Sequence, residues 1–132
     1  MGGDFYDYFP IDDNRICFLI ADVFGKGTPV ALFMMTSKTM FKDYALTEDS
    51  TSEIFTAVNA RLCENNEAGM FATAWIGILD TRTMTLQCTN AGLNYPIFLR
   101  QGQPCQEMKK VRGLFLGGIE FIQYLVCGYR IP

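Results

Sequence analysis

The chain has no histidine. Ser-His-Asp and Cys-His catalysis, imidazole-bound zinc and histidine phosphotransfer are therefore unavailable from its own residues. Basic clusters are also lacking: of eleven Lys and Arg against fourteen Asp and Glu, only Lys109 and Lys110 are adjacent, and the net charge is -3. Without a basic stripe to neutralise phosphates, nucleic acid is a poor partner. The longest apolar runs, Ile16 to Ala21 and Trp75 to Leu79 with their neighbours, fall far short of the ~20 residues that span a bilayer. Met1-Gly2-Gly3-Asp4 offers no charged leader ahead of an apolar stretch, so no export signal or membrane span is expected. Cys17, Cys63, Cys88, Cys105 and Cys127 are odd in number and form no CxxC pair, which argues against a disulfide framework and a zinc site. Reduced thiols and a cytoplasmic location are expected, and any chemistry falls to carboxylates, backbone groups and metal ions.

About half the 132 residues are apolar (49%), enough for one compact domain with a real core and too few for two. Asp4 to Ile11 alternates and ends at Asp12-Asp13-Asn14, which predicts a strand and a turn before a second strand from Arg15 to Phe24. Ile16 to Ala21 is apolar on both faces, so that strand is expected to be central and covered on both sides. The Gly25-Lys26-Gly27 break and Thr28-Pro29 predict a helix start. Val30, Phe33, Met34, Ser37, Phe41 and Tyr44 supply its apolar stripe, which fades near Leu46. Ser50 and Glu53 have capping-box spacing ahead of a second helix with Ile54, Ala57, Val58, Arg61 and Leu62 along one side, ending near Asn65-Asn66.

From Phe71 the period becomes two. Phe71 to Leu79 reads as a strand, Asp80-Thr81-Arg82 as a turn, and Met84, Leu86 and Cys88 alternate with threonines and Gln87 as a strand with one wet face. Pro96 to Arg100, a turn at Gln101-Gly102 and a short strand from Gln106 to Val111 would extend the meander. Strands, two adjacent helices, then hairpin-linked strands predict an antiparallel α+β fold.

Two aspartates are candidates for chemistry. Asp22 closes the apolar second strand, where a carboxylate is costly to bury unless a cation or hydrogen bonds satisfy it, and Asp4 follows a glycine pair. Two such carboxylates with a loop carbonyl could begin a site for Mg²⁺ or Mn²⁺. On spacing alone, Asp22 reads equally as a loop-capping residue and Asp4 as a surface strand start. The Gly-Lys-Gly turn could hold an anion ahead of the helix, or be simply a tight turn, since it lacks the spacing of the known phosphate loops.

Five segments in order, Gly2-Gly3-Asp4-Phe5-Tyr6-Asp7, Ala21-Asp22-Val23-Phe24-Gly25-Lys26-Gly27, Asn59-Ala60-Arg61-Leu62, Met70-Phe71-Ala72-Thr73-Ala74 and Asn90-Ala91-Gly92-Leu93-Asn94-Tyr95-Pro96, resemble the SpoIIE-like phosphatases of the PPM (type 2C) class. The resemblance implies an antiparallel β-sandwich flanked by helices. It also implies a phosphomonoesterase in which water between two Mn²⁺ or Mg²⁺ ions attacks phosphorus in line. By position, Asp22 would bridge the metals, the Val23 carbonyl would face one of them, and Asp4 would serve the other directly or through water. Asp7 and Lys26 are nearby candidates. The implied substrate is phosphoserine or phosphothreonine on a regulatory protein such as an anti-anti-sigma factor of the STAS type, in bacterial signalling.

The chain departs from the family pattern in three ways. Leu93 stands where the Asn-Ala-Gly-His-Asn-Pro pattern has histidine. No Thr-Asp-Gly motif follows Gly113-Leu114-Phe115-Leu116-Gly117, and the strand expected ahead of Gly2 is missing. The domain is therefore expected to be incomplete at both ends, with weak activity on its own and an exposed sheet edge through which copies could pair. A catalytically inactive phosphatase-like interaction module is the alternative. A GG[DE]EF cyclase remnant at Gly2-Gly3-Asp4-Phe5 is disfavoured, because it lacks one acidic residue and the domain that should precede it.

Overall fold

The structure, a computed structural model, describes residues 3–25, 28–64, 66, 69–98, 101–104, 106–107, 112–119, 122 and 124–131. Strand β1 (Gly3–Pro10) turns at Ser-free, acidic residues 11–14 into β2 (Arg15–Phe24), and two helices follow, α1 (Thr28–Thr47) and α2 (Thr51–Cys63). The chain returns as β3 (Phe71–Asp80) and β4 (Thr85–Ala91), then β5 (Ile97–Phe98), β6 (Gln106–Glu107) and β7 (Cys127–Arg130). Five strands form one antiparallel sheet in the order β1-β2-β3-β4-β7, and β5 pairs with β6 in a separate ribbon.

Both helices pack on one face of this sheet. Alternation along the strands sends Phe5, Phe9, Cys17, Leu19, Ala21, Val23, Ile76 and Ile78 to that side, where all are buried. Phe41 of α1 and Phe55 of α2 are fully buried, and rings run from Phe5 through Phe41 and Phe55 to Tyr124 with centroids 6.2, 5.6 and 5.9 Å apart. These tilted and edge-on contacts are the favourable geometry for aromatic pairs.

The cap of α2 forms as its spacing predicts. Ser50 Oγ accepts the Glu53 N–H at 3.2 Å, although Glu53 reaches back to the Asp49 N–H rather than to that of Ser50. Ser37 interrupts the stripe of α1 without cost, because its buried hydroxyl donates to the Phe33 carbonyl at 2.6 Å. On α2 the buried side is Thr51, Ile54, Phe55, Val58, Asn59 and Leu62. Arg61, expected on that side, lies in solvent and pairs with Glu64.

Three expectations need correction. The second strand is central, between β1 and β3, but covered on one face only: Phe18 and Ile20 remain 39% and 47% exposed. The polar side of β4 is not wet, because Gln87 and Thr89 face the helices. Thr89 is buried there, its hydroxyl 2.8 Å from that of Thr51, while Gln87 Oε1 accepts the Thr51 N–H at 3.0 Å. Ile97–Phe98 and Gln106–Glu107 pair with each other and do not extend the main sheet, and Arg100 and residues 108–111 lie outside the described residues. That role falls to β7, which pairs with β4 from Thr85↔Arg130 to Cys88↔Cys127. Among the described residues, no helix is long and apolar enough to cross a membrane, and Cys17 and Cys127 are free thiols. Cys105 lies outside the described residues.

Candidate metal centre

Asp4 and Asp22 are cross-strand partners in the β1–β2 ladder. Directly opposed residues of an antiparallel pair point to the same face with Cα atoms about 4.5–5.5 Å apart. The two carboxyl groups consequently meet on the sheet face turned away from the helices. Their closeness shows in the acidity of Asp22, whose carboxyl is pushed up from 3.8 to about 6, chiefly by a hydrogen bond with Asp4, then by partial burial and by the Asp4 charge. No Lys or Arg forms an ion pair with either of them among the described residues.

Val23 alternates to the other side, and its side chain is completely buried in the core. Only its carbonyl is left to serve an ion. Asp7, three residues after Asp4, also falls on the helix side, opposite Leu19, and accepts the Tyr8 N–H at 2.9 Å. It does not join the pair. Lys26 and Gly27 lie outside the described residues, so the anion-holding turn does as well.

Register adds a residue that spacing alone did not single out. Thr73 is the β3 partner of Asp22, which makes a row of Asp4, Asp22 and Thr73 across three strands. Finding it from sequence required the β2–β3 register, which no local pattern encodes.

The remaining motifs hold the start of β3 in place. Ala72 and Leu116 exchange backbone hydrogen bonds at 2.9 and 2.7 Å. Two asparagines clamp the next peptide: Asn59 Oδ1 accepts the Gly117 N–H at 2.8 Å, and Asn66 Nδ2 donates to the Gly117 carbonyl at 3.2 Å. Gly117 has φ +90°, and a Cβ there would sit 3.1 Å from the Met70 carbonyl oxygen, so glycine is required. Asn90 opens the later motif by accepting the Leu93 N–H at 2.9 Å. Its buried Nδ2 has no partner among the described residues.

The family profile described as Stage II sporulation protein E (SpoIIE) matches residues 12–131. The chain belongs to the SpoIIE family. It is 29% identical over 117 residues to the phosphoserine phosphatase RsbU of Bacillus subtilis, covering 89% of this chain and 35% of RsbU. The chain spans between 23% and 35% of the length of the curated relatives it matches. Among solved structures, the RsbU and RsbW domains of Rv1364c from Mycobacterium tuberculosis superpose with a TM-score of 0.84 at 21% identity, over 100% of this chain and 37% of theirs. The PP2C phosphatase domain of SpoIIE from Bacillus subtilis gives 0.80 at 15% identity, over 98% and 38%. RsbX in complex with magnesium gives 0.74 at 20% identity, over 99% and 60%. The fold of this SpoIIE-family chain is thus that of the PP2C-like phosphatases.

The donor set fits a hard divalent cation. Two adjacent carboxylates that must otherwise share a proton are relieved by one, and Mg²⁺ typically uses one or two carboxylates while keeping several waters. Among the described residues no third Asp, Glu, Cys or His gathers with them.

Proposed function

We propose that this chain carries the ion-binding part of a metal-dependent protein serine/threonine phosphatase. The observation behind it is the Asp4–Asp22 pairing, with the raised Asp22 pKa that follows from it. Asp22 would bridge two Mn²⁺ or Mg²⁺ ions, Asp4 would hold one directly or through water, and the Val23 carbonyl would face the other. Such ions, when bound, polarise a phosphoryl group and make water more acidic. Asp22 is fixed by its place between two ladders, so its carboxylate is held in position before substrate arrives. Thr73 fills the next place in the row. The substrate class we assign is phosphoserine or phosphothreonine on a small regulatory protein, such as an anti-anti-sigma factor in bacterial signalling. The kinship with a phosphoserine phosphatase supports that choice.

The test is Mn²⁺-dependent phosphate release from a phosphoserine protein by the full gene product, with Asp22→Ala as control. Loss of at least ~100-fold is expected, and activity untouched by the substitution would end this reading. Leu93, where the family pattern has histidine, favours a second one: a phosphatase-like module that binds a phosphoprotein without hydrolysing it. In that case phosphoprotein binding persists while no turnover is found at any Mn²⁺ concentration.

A further inference from the structure

β2 leaves the sheet just past its aspartate. Its ladder with β1 ends at Gly3↔Val23 and its ladder with β3 at Phe24↔Phe71. Gly25 comes next, beyond both ladders and opposite Met70 by the same register. Alternation turns both positions toward the helices, where Met70 is buried. A Cβ on Gly25 would run into the Met70 Cε and lie 3.2 Å from both the Met70 sulfur and the Val30 Cγ2 of α1. Gly25 does not have a positive φ, so glycine is there to make room for these neighbours.

Met70 is itself held on its backbone side. Asn66 Oδ1 accepts the Met70 N–H at 3.0 Å and Asn66 Nδ2 donates to the Met70 carbonyl at 2.6 Å, so one side chain satisfies both backbone groups of that residue. The same Nδ2 reaches the Gly117 carbonyl, which ties Met70 to the strap from Gly113 to Gly117. On the opposite face the Phe24 and Phe71 rings stack 4.9 Å apart, and the end of β2 is gripped from both sides.

We infer that Met70 is a positioning residue for the candidate ion site, held in place by Asn66. Its thioether lies against the Gly25 backbone and fixes the path of the chain two residues after the Val23 carbonyl and three after Asp22. A thioether suits the place, because an unbranched, polarisable side chain fills the irregular gap left by a missing Cβ. Groups that hold ligands in place without touching the ion are typically worth about 10–100-fold in ion affinity. The inference rests on the ion-site reading above and adds to it the contact that keeps those oxygens aimed.

The test is Mn²⁺ binding by the full gene product near neutral pH, with the free ion read from its paramagnetic resonance signal and no substrate present. Met70→Ala, Asn66→Ala and Gly25→Ala should each weaken binding by about tenfold or more, whereas Met70→Leu, close in volume, should stay within about twofold of the parent. In Gly25→Ala/Met70→Ala the new methyl takes the room that the thioether vacated, so the double variant should bind more tightly than the product of the two single losses. Val58→Ala removes fully buried atoms elsewhere in the core and should leave Mn²⁺ affinity unchanged despite its cost in stability. Circular dichroism checks that each variant folds, and Met70→Val replaces Met70→Ala should that chain fail to. Met70, Asn66 and Gly25 variants that bind within about twofold of the parent overturn the inference. So do losses no greater than that of Val58→Ala, or single losses that simply multiply in the double variant. Asp22→Ala separates this result from the reading beneath it. If it binds Mn²⁺ as well as the parent, the ion site falls and the positioning role with it; if it alone loses the ion, only the positioning role falls.

Discussion

Asp22 joins two opposed demands in one side chain. In the metal-free protein its neighbour Asp4 favours the protonated form and lifts its pKa to about 6. A carboxyl that holds its proton more tightly when folded adds stability below its unfolded value near 4, and that contribution is lost as pH rises through 6. Thermal unfolding without divalent ions should therefore show a falling Tm between pH 4 and pH 7, and Asp22→Asn should flatten that slope while raising Tm at pH 7. Added Mn²⁺ should raise Tm of the parent chain at pH 7 and leave that of Asp22→Asn nearly unchanged. Asn59 is a simpler case. It is fully buried, its Nδ2 donates to the Ile119 carbonyl at 2.9 Å, and its Oδ1 accepts the Gly117 N–H. Asn59→Ala leaves both backbone groups without that partner, and urea unfolding should record a loss of about 2–3 kcal/mol.

Among the elements, the helices depend on the sheet more than on their own sequence. α1 has no acidic residue in its first turn and no basic one in its last, so the helix dipole gives it no help, and its buried side must carry it. Phe41, fully buried between Phe5 and Phe55, is the centre of that side. Phe41→Ala should cost about 3–5 kcal/mol in the same urea measurement, with helical circular dichroism lost in one step. The bounds of both helices and of the first four strands were legible because each has a local cause: the Ser50 cap, the Asp12 turn, the switch from a period near four to a period of two at Phe71. The face each strand would bury was harder to read. β4 put threonine and glutamine inward because the first turn of α2 offers Thr51 hydroxyl and N–H groups as partners, and a composition rule cannot see a partner 36 residues away. The candidate ion site was partly legible as well. Asp4 and Asp22 are marked by their motifs, whereas Thr73 beside them and Asp7 away from them follow from register alone.

At the scale of the molecule, strand order separates early events from late ones. β1–β2 and β3–β4 are hairpins, whereas β3 reaches β2 only after both helices and β7 reaches β4 only after the connection from Gly92 to Val126. Closing such a loop costs chain entropy that a neighbouring hairpin does not have to meet. β7 holds four residue pairs with β4 and lies at the rim of the sheet. Its last turn of contact is a single bond from the Ile131 N–H to the Met84 carbonyl, at the one described non-glycine residue with positive φ, +52°. Native-state hydrogen exchange should find the amides of Cys127 to Arg130 opening well before those of β2 and β3, at a free energy below that of global unfolding. The order has a mechanical side too. A pull applied at the carboxyl terminus would peel the outermost ribbon away bond by bond, at low force, and leave the meander that carries the aspartate pair standing.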